Sequence, residues 1–101
     1  MAIKVPNQVL EAVVLEVLIN ESLYGYALTK KIQTKLKISD STTYPVLRRL
    51  EKAGFVSTRS AVFAERIRKY YQVTDLGQRY LDEVKADWRL FASQINDLLG
   101  E

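Results

Sequence analysis

Apolar residues at Leu10, Val13, Val14, Val17 and Leu18 recur at the spacing of one helical face, predicting a first helix over residues 8–20 with Asn7 as its cap. A turn over residues 21–24 leads to Gly25. Beyond it Ala27, Leu28, Ile32 and Leu36 repeat at helical spacing while Lys30, Lys31 and Lys35 fall on other faces, predicting a second helix. Residues 37–40 break that pattern. A third helix follows, with a buried stripe of Thr43, Leu47, Leu50 and Gly54 and with Gly54 as its stop. Ser39 or Ser41 caps it, and Pro45, best tolerated near a helix start, favours the later serine. Residues 55–63 then mix β-branched and aromatic residues with alternating polar ones, and residues 67–73 do likewise, as two strands. Residues 63–66 join them as a hairpin, although without the Asn-Gly or Gly of a tight turn. Thr74 caps and Asp75 opens a final helix reaching about Leu99.

Three helices followed by a hairpin is the order of a winged helix, in which helices two and three form a helix-turn-helix and the hairpin is the wing. The expected fold is mainly α with a small β-hairpin: a winged helix-turn-helix plus a long C-terminal dimerisation helix. Residues 1–74 are assigned to DNA binding and residues 75–101 to dimerisation, within one compact structural unit. The first helix is expected to assist the dimer interface.

Charge sharpens this picture. Eleven of the fifteen Lys and Arg residues lie between Lys30 and Lys69 against only Asp40, Glu51 and Glu65, a formal +8 for that stretch. The remainder, four cations against nine acids, carries −5, so the net +3 conceals a basic block between acidic ends. Charge segregated in this way attracts a polyanion to one region of a small fold.

Helix three is the candidate reader of a DNA groove. With Leu47 and Leu50 turned to the core, a 100° step per residue places Ser41, Pro45, Arg48 and Lys52 on the opposite face, flanked by Tyr44 and Arg49. Small hydroxyls at the N-terminal end reach base edges or phosphates, and cations neutralise the backbone on either side. The alternative is that Arg48, Arg49 and Lys52 are the solvated side of an amphipathic helix. The wing adds Arg66, Arg68 and Lys69 beside Tyr70 and Tyr71. In a strand Arg68 and Tyr70 share one face and Lys69 and Tyr71 the other, with one of the two tyrosines in the core. Tyr24 either touches a phosphate through its hydroxyl or packs.

Leu81, Val84, Trp88, Phe91, Ile95 and Leu98 alternate spacings of three and four, the seam of a coiled-coil-like helix. A small core covers one end of such a stripe and a second copy covers the rest. Two-fold symmetry would set two reading helices about 34 Å apart, matching a palindromic operator in double-stranded DNA. Trp88, the single Trp, either fills the dimer core or meets its symmetry mate across a gap that sandwiches a planar aromatic molecule. Tyr80, Asp82, Glu83 and Asp87 then favour a cationic guest or form a solvated face.

Composition excludes other classes. With 48% hydrophobic and 27% charged residues the chain is globular, and with no Cys and no His it lacks disulfides, thiolate chemistry and the usual metal and general-base side chains. No catalytic residue, cofactor or metal is therefore expected. The N-terminus shows no charged region followed by an apolar stretch. The run over residues 13–19 is too short for a membrane and is interrupted by Glu16, so a cytoplasmic protein is expected.

Three stretches carry a resemblance: Leu23-Tyr-Gly-Tyr26, the segment from Ser41-Thr-Thr-Tyr-Pro to Gly54-Phe-Val56, and Arg68-Lys-Tyr-Tyr-Gln-Val-Thr-Asp-Leu-Gly77. With them the chain resembles the PadR family of bacterial transcriptional regulators, of the short type with one C-terminal helix, over residues 9–99. That resemblance implies a homodimeric repressor whose third helix enters the major groove, with Ser41, Thr42, Tyr44 and Arg48 as contacts and Lys69 as the wing contact. Trp88 matches the position where drug-responsive members stack aromatic ligands across the dimer, which makes a planar aromatic or phenolic inducer an expectation. Family wings commonly carry a glycine-containing tip, whereas this chain has Ala64-Glu65-Arg66-Ile67, so the tip contacts do not transfer. The opposing reading is an interaction module, a winged helix whose basic face meets an acidic protein and whose long helix pairs with a different chain.

Overall fold

The computed structural model describes residues 3–101; Met1 and Ala2, part of the N-terminal stretch read above for a leader, lie outside the described residues. The first helix, α1 (Asn7–Asn20), starts one residue earlier than expected. Extended Pro6 is its N-cap, with the Pro6 carbonyl accepting from the Leu10 amide at 2.9 Å, so Asn7 lies inside the helix and caps nothing. Proline suits this place because it has no N–H to lose. Leu10, Val14, Leu15 and Leu18 are buried and Val13 and Val17 partly so. A helix apolar on more than one face belongs at the centre of a fold, and α1 packs against the three later helices and the sheet.

After α1 the chain forms β1 (Leu23–Tyr24), α2 (Gly25–Gln33), α3 (Thr43–Lys52), β2 (Val56–Phe63), β3 (Arg66–Val73) and α4 (Asp75–Leu99). The sheet is antiparallel with order β1-β3-β2, so the wing is joined by a third strand where only a turn was expected. A two-residue strand has no period to detect. Helix α2 also ends at Gln33, short of Leu36, which instead packs on the core from the following turn.

Two corrections concern α3. Thr42 is its N-cap and no side chain caps it; Ser39 and Ser41 bond to each other, and Ser39 to Thr42, instead of to the helix. Val46 joins Thr43, Leu47 and Leu50 in the buried face, whereas Gly54 is exposed. Gly54 ends the helix in the left-handed conformation at φ 80°, with Phe55 N donating to the Leu50 carbonyl at 2.9 Å and Gly54 N to the Glu51 carbonyl at 3.1 Å. Those are the two bonds of a Schellman stop.

Helix α4 opens as expected, Thr74 Oγ1 accepting from Gly77 N at 3.1 Å. Gly77 is buried against the turn that ends α3, where a Cβ would collide with the Phe55 carbonyl. The Tyr80 ring stacks on Phe55 at 4.4 Å. The expected seam divides at this junction: Leu81 and Val84 are buried within the chain's own fold, where the first turns of α4 pack on α1. Among the described residues no helix is long and apolar enough to cross a membrane.

Candidate nucleic-acid interface

The helix-turn-helix is fixed by a buried pair of hydroxyls. Thr29 of α2 donates to the Gly25 carbonyl at 2.9 Å, and its hydroxyl also bonds the Thr43 hydroxyl of α3. Thr43 is thus polar in a buried position because its partner lies in the facing helix, and a satisfied pair of this kind sets the register between the two helices.

The outer face of α3 carries Tyr44, Arg48, Arg49 and Lys52, all exposed, with Thr42 and Pro45 partly so and Ser41 exposed just before the helix. No side chain caps α3, so the Thr43 and Tyr44 N–H groups at its start, beside the Ser41 and Thr42 hydroxyls, are donors of the kind phosphate oxygens satisfy, while Pro45 contributes none. The two arginines differ. Arg48 and Lys52 form no ion pair among the described residues, whereas Arg49 Nε bonds Glu11 Oε2 of α1 at 3.4 Å. Arg49, grouped with the DNA contacts from helical spacing, is thus turned toward α1.

The wing shows the expected division of faces. Tyr71 is buried and shares its face with Lys69, while Arg68 and Tyr70 lie on the other. Lys69 Nζ reaches Glu51 Oε1 at 2.9 Å, and Thr58 donates to Glu51 Oε2 at 3.4 Å, so the wing is tied to the C-terminal end of α3. The bond to Glu51 holds the Lys69 ammonium above its ordinary pKa. On the opposite face the Arg68 guanidinium lies 4.3 Å from the Tyr24 ring and 4.6 Å from the Phe63 ring, and Tyr24 meets Tyr70 edge-on at 5.6 Å. The Tyr24 ring thus stacks against the wing. Arg68 held on two rings keeps its N–H edges available.

A cleft of about 330 Å³ brings Tyr24, Tyr44, Arg68 and Lys69 together, with Tyr26 and Ile67 at its walls. Tyr26, exposed and with the Lys30 ammonium 5.2 Å from its ring centre, was not among the sequence candidates. Its place in the Leu23-Tyr-Gly-Tyr26 motif was the available signal.

This arrangement joins an α3 without a side-chain cap, a cationic wing and a hydroxyl-locked helix pair. Residues 14–83 match the family described as transcriptional regulator PadR-like. The chain belongs to the PadR-like family. It is similar to a Streptococcus mutans protein at 32% identity and a TM-score of 0.88, covering 99% of this chain and 94% of that one. A PadR-like transcriptional regulator of Bacillus cereus is 31% identical with a TM-score of 0.81, over 92% and 93% of the two chains. An Eggerthella lenta PadR family regulator is 38% identical with a TM-score of 0.81, over 89% and 80%. An uncharacterised Lysinibacillus sphaericus protein is 30% identical over 84 residues, 78% of this chain and 77% of its own. PadR-like proteins are DNA-binding transcriptional regulators and not enzymes, and the chain is a winged-helix member of that family.

A second region lies between α1 and α4 of this PadR-like fold. Trp88 borders a hollow of about 210 Å³ with Val9, Ala12, Val13, Leu81 and Val84, which the Glu16–Lys85 ion pair also lines. Trp88 also borders a second hollow of about 310 Å³ with Pro6, Gln8, Val9, Val84, Asp87 and Phe91. Of the acidic groups expected near Trp88, only Asp87 lines either hollow. Tyr80 is turned to Phe55 and Glu11, and Asp82 bonds Gln78. Glu16 and Lys85, 69 positions apart, could not be paired from spacing alone.

Proposed function

We propose that the chain is a homodimeric transcriptional repressor that binds a palindromic operator and is released by a planar aromatic or phenolic molecule held beside Trp88. The observation that carries the dimer is the outer half of α4. Trp88 and Leu98 keep 45% and 84% of their surface exposed, with Phe91 and Ile95 exposed between them on the same stripe. The buried residues of α4 end at Val84, and a contiguous apolar stripe beyond them calls for a partner. A second copy presents the identical stripe, and α1 offers Val9, Ala12 and Val13 beside it.

In this reading residues 1–74 read DNA and residues 75–101 dimerise, with α1 shared between the two roles. Ser41, Thr42, Tyr44, Arg48 and Lys52 face the groove, and Arg68 and Lys69 of the wing reach the phosphates. Repression needs only occupancy of the site, which a reading face and a dimerising helix supply. A cytoplasmic location is part of the same proposal, since the target is chromosomal DNA. The two hollows that Trp88 lines are largely apolar and of a size for a small flat ring system, which supports ligand binding there.

Sedimentation equilibrium of the full chain tests the dimer. A mass of two chains that falls to one in Ile95→Glu supports it, and a stable monomer in the parent removes the seam. Trp88 fluorescence titrated with planar aromatic cations and phenolic acids tests the ligand. Quenching by one class supports sensing, and unchanged emission across the panel leaves Trp88 as packing.

A further inference from the structure

The tip of the wing is apolar on both faces. Val62 and Ile67 form a cross-strand pair on the face shared with Lys69, and Phe63 stands on the other; they remain 74%, 77% and 57% exposed. An exposed hydrophobic hairpin end is an aggregation hazard that edge strands ordinarily avoid, so its presence needs a physical occasion. Around it the hairpin carries Arg59, Arg66, Arg68 and Lys69 against the single acid Glu65. The turn is the two-residue kind, with Ala64 and Glu65 at φ 50° and 64°, which makes the tip narrow.

We infer that Val62, Phe63 and Ile67 form a wedge that enters the minor groove of duplex DNA beside the operator and bends it. The cations select a polyanion as occupant over an apolar protein surface. With the major groove taken by α3 in the reading above, the sites left for an apolar tip are the sugar-lined minor groove and the base steps opened from it. Arg68 contributes by position. Its guanidinium stacks on Phe63, so the residue entering the groove carries a phosphate-binding group against its ring. The wedge rests on the DNA-binding reading above and adds to it a deformation of the DNA, so sequence steps that kink readily are favoured at positions α3 does not touch.

The test uses the full chain and duplexes it selects from a random pool, labelled at both ends for energy transfer. The variants are Phe63→Ser and the double change Val62→Thr with Ile67→Thr, which keeps β-branched residues in the strands. The parent chain should shorten the end-to-end distance on binding. Both variants should lose most of that shortening and about ten-fold in affinity, with an unchanged slope of log affinity on log salt, because apolar contacts release no counterions. Arg48→Ala should do the reverse, lowering the slope and leaving the bend of bound DNA intact. Equal bending by parent and variants overturns the wedge while leaving DNA binding in place. A change of oligomeric state in the wing variants overturns it in favour of a protein interface. Failure of the parent to select any duplex at low salt removes the DNA reading itself, and the wedge with it.

Discussion

The Tyr80 hydroxyl of α4 donates to Glu11 Oε1 of α1 at 2.6 Å. The other oxygen of that carboxylate takes Arg49 of α3, so one acid ties together α4, α1 and α3. Tyr80 also stacks on Phe55, immediately after the stop of α3. Tyr80 thus couples α4 to both ends of the α3 surroundings, through Glu11 and Arg49 and through Phe55.

That contact predicts an alkaline signature. Desolvation by burial, with the Glu11 carboxylate adding to it, pushes the Tyr80 phenol up to about 12 from 10.0. The unfolded chain loses this proton above pH 10 and the folded chain keeps it to about 12, so the contribution is full below pH 10 and is lost as pH rises through that window. Chemical denaturation between pH 9 and 12 should show the parent losing stability relative to Tyr80→Phe. Parallel profiles would separate Tyr80 from the alkaline response.

Gly77→Ala should destabilise the fold by about 1–3 kcal/mol, the usual range for a methyl forced into a packed site. The added Cβ would meet backbone, the Phe55 carbonyl, and not a side chain able to turn away. Thermal unfolding reads this directly, and a variant that melts with the parent would show that α4 can slide outward at no cost.

The wing turn should respond in the opposite direction. Ala64 and Glu65 both sit at positive φ without the Gly or Asn that such positions favour, and an L-residue in the left-handed region costs roughly 1–2 kcal/mol. Ala64→Asn with Glu65→Gly should therefore slow amide exchange across β2 and β3. Unchanged protection would mean that the turn does not limit opening of the wing.

The two arginines of α3 should separate in binding. Arg48→Ala and Lys52→Ala should each lower duplex affinity and reduce the salt slope by about one, as loss of a phosphate contact does. Arg49→Ala should act mainly on stability, since its partner is Glu11. Equal slope changes for all three would place Arg49 on the DNA.

Most of the architecture was legible because its elements are long and periodic. The stripes of α1, α3 and α4 and the alternation of β2 and β3 each span several repeats, and Thr74 caps α4 as its sequence signals predict. What was missed is short or non-local. The strand β1 has two residues, and the α3 start uses hydroxyls that bond one another. The Tyr80–Glu11–Arg49 and Lys85–Glu16 contacts join positions far apart in the chain. Leu81 and Leu98 look alike on a heptad, and only the packing of α1 shows that the first is core and the last is bare. The basic block resolves similarly into cations with and without a carboxylate partner, a distinction spacing does not carry.

The most direct test of the regulator as a whole is native mass spectrometry of the full chain mixed with duplex DNA from immediately upstream of its own gene. A complex of two chains per duplex that dissociates as ammonium acetate is raised is the predicted result. Free duplex beside free protein at the lowest salt would contradict it.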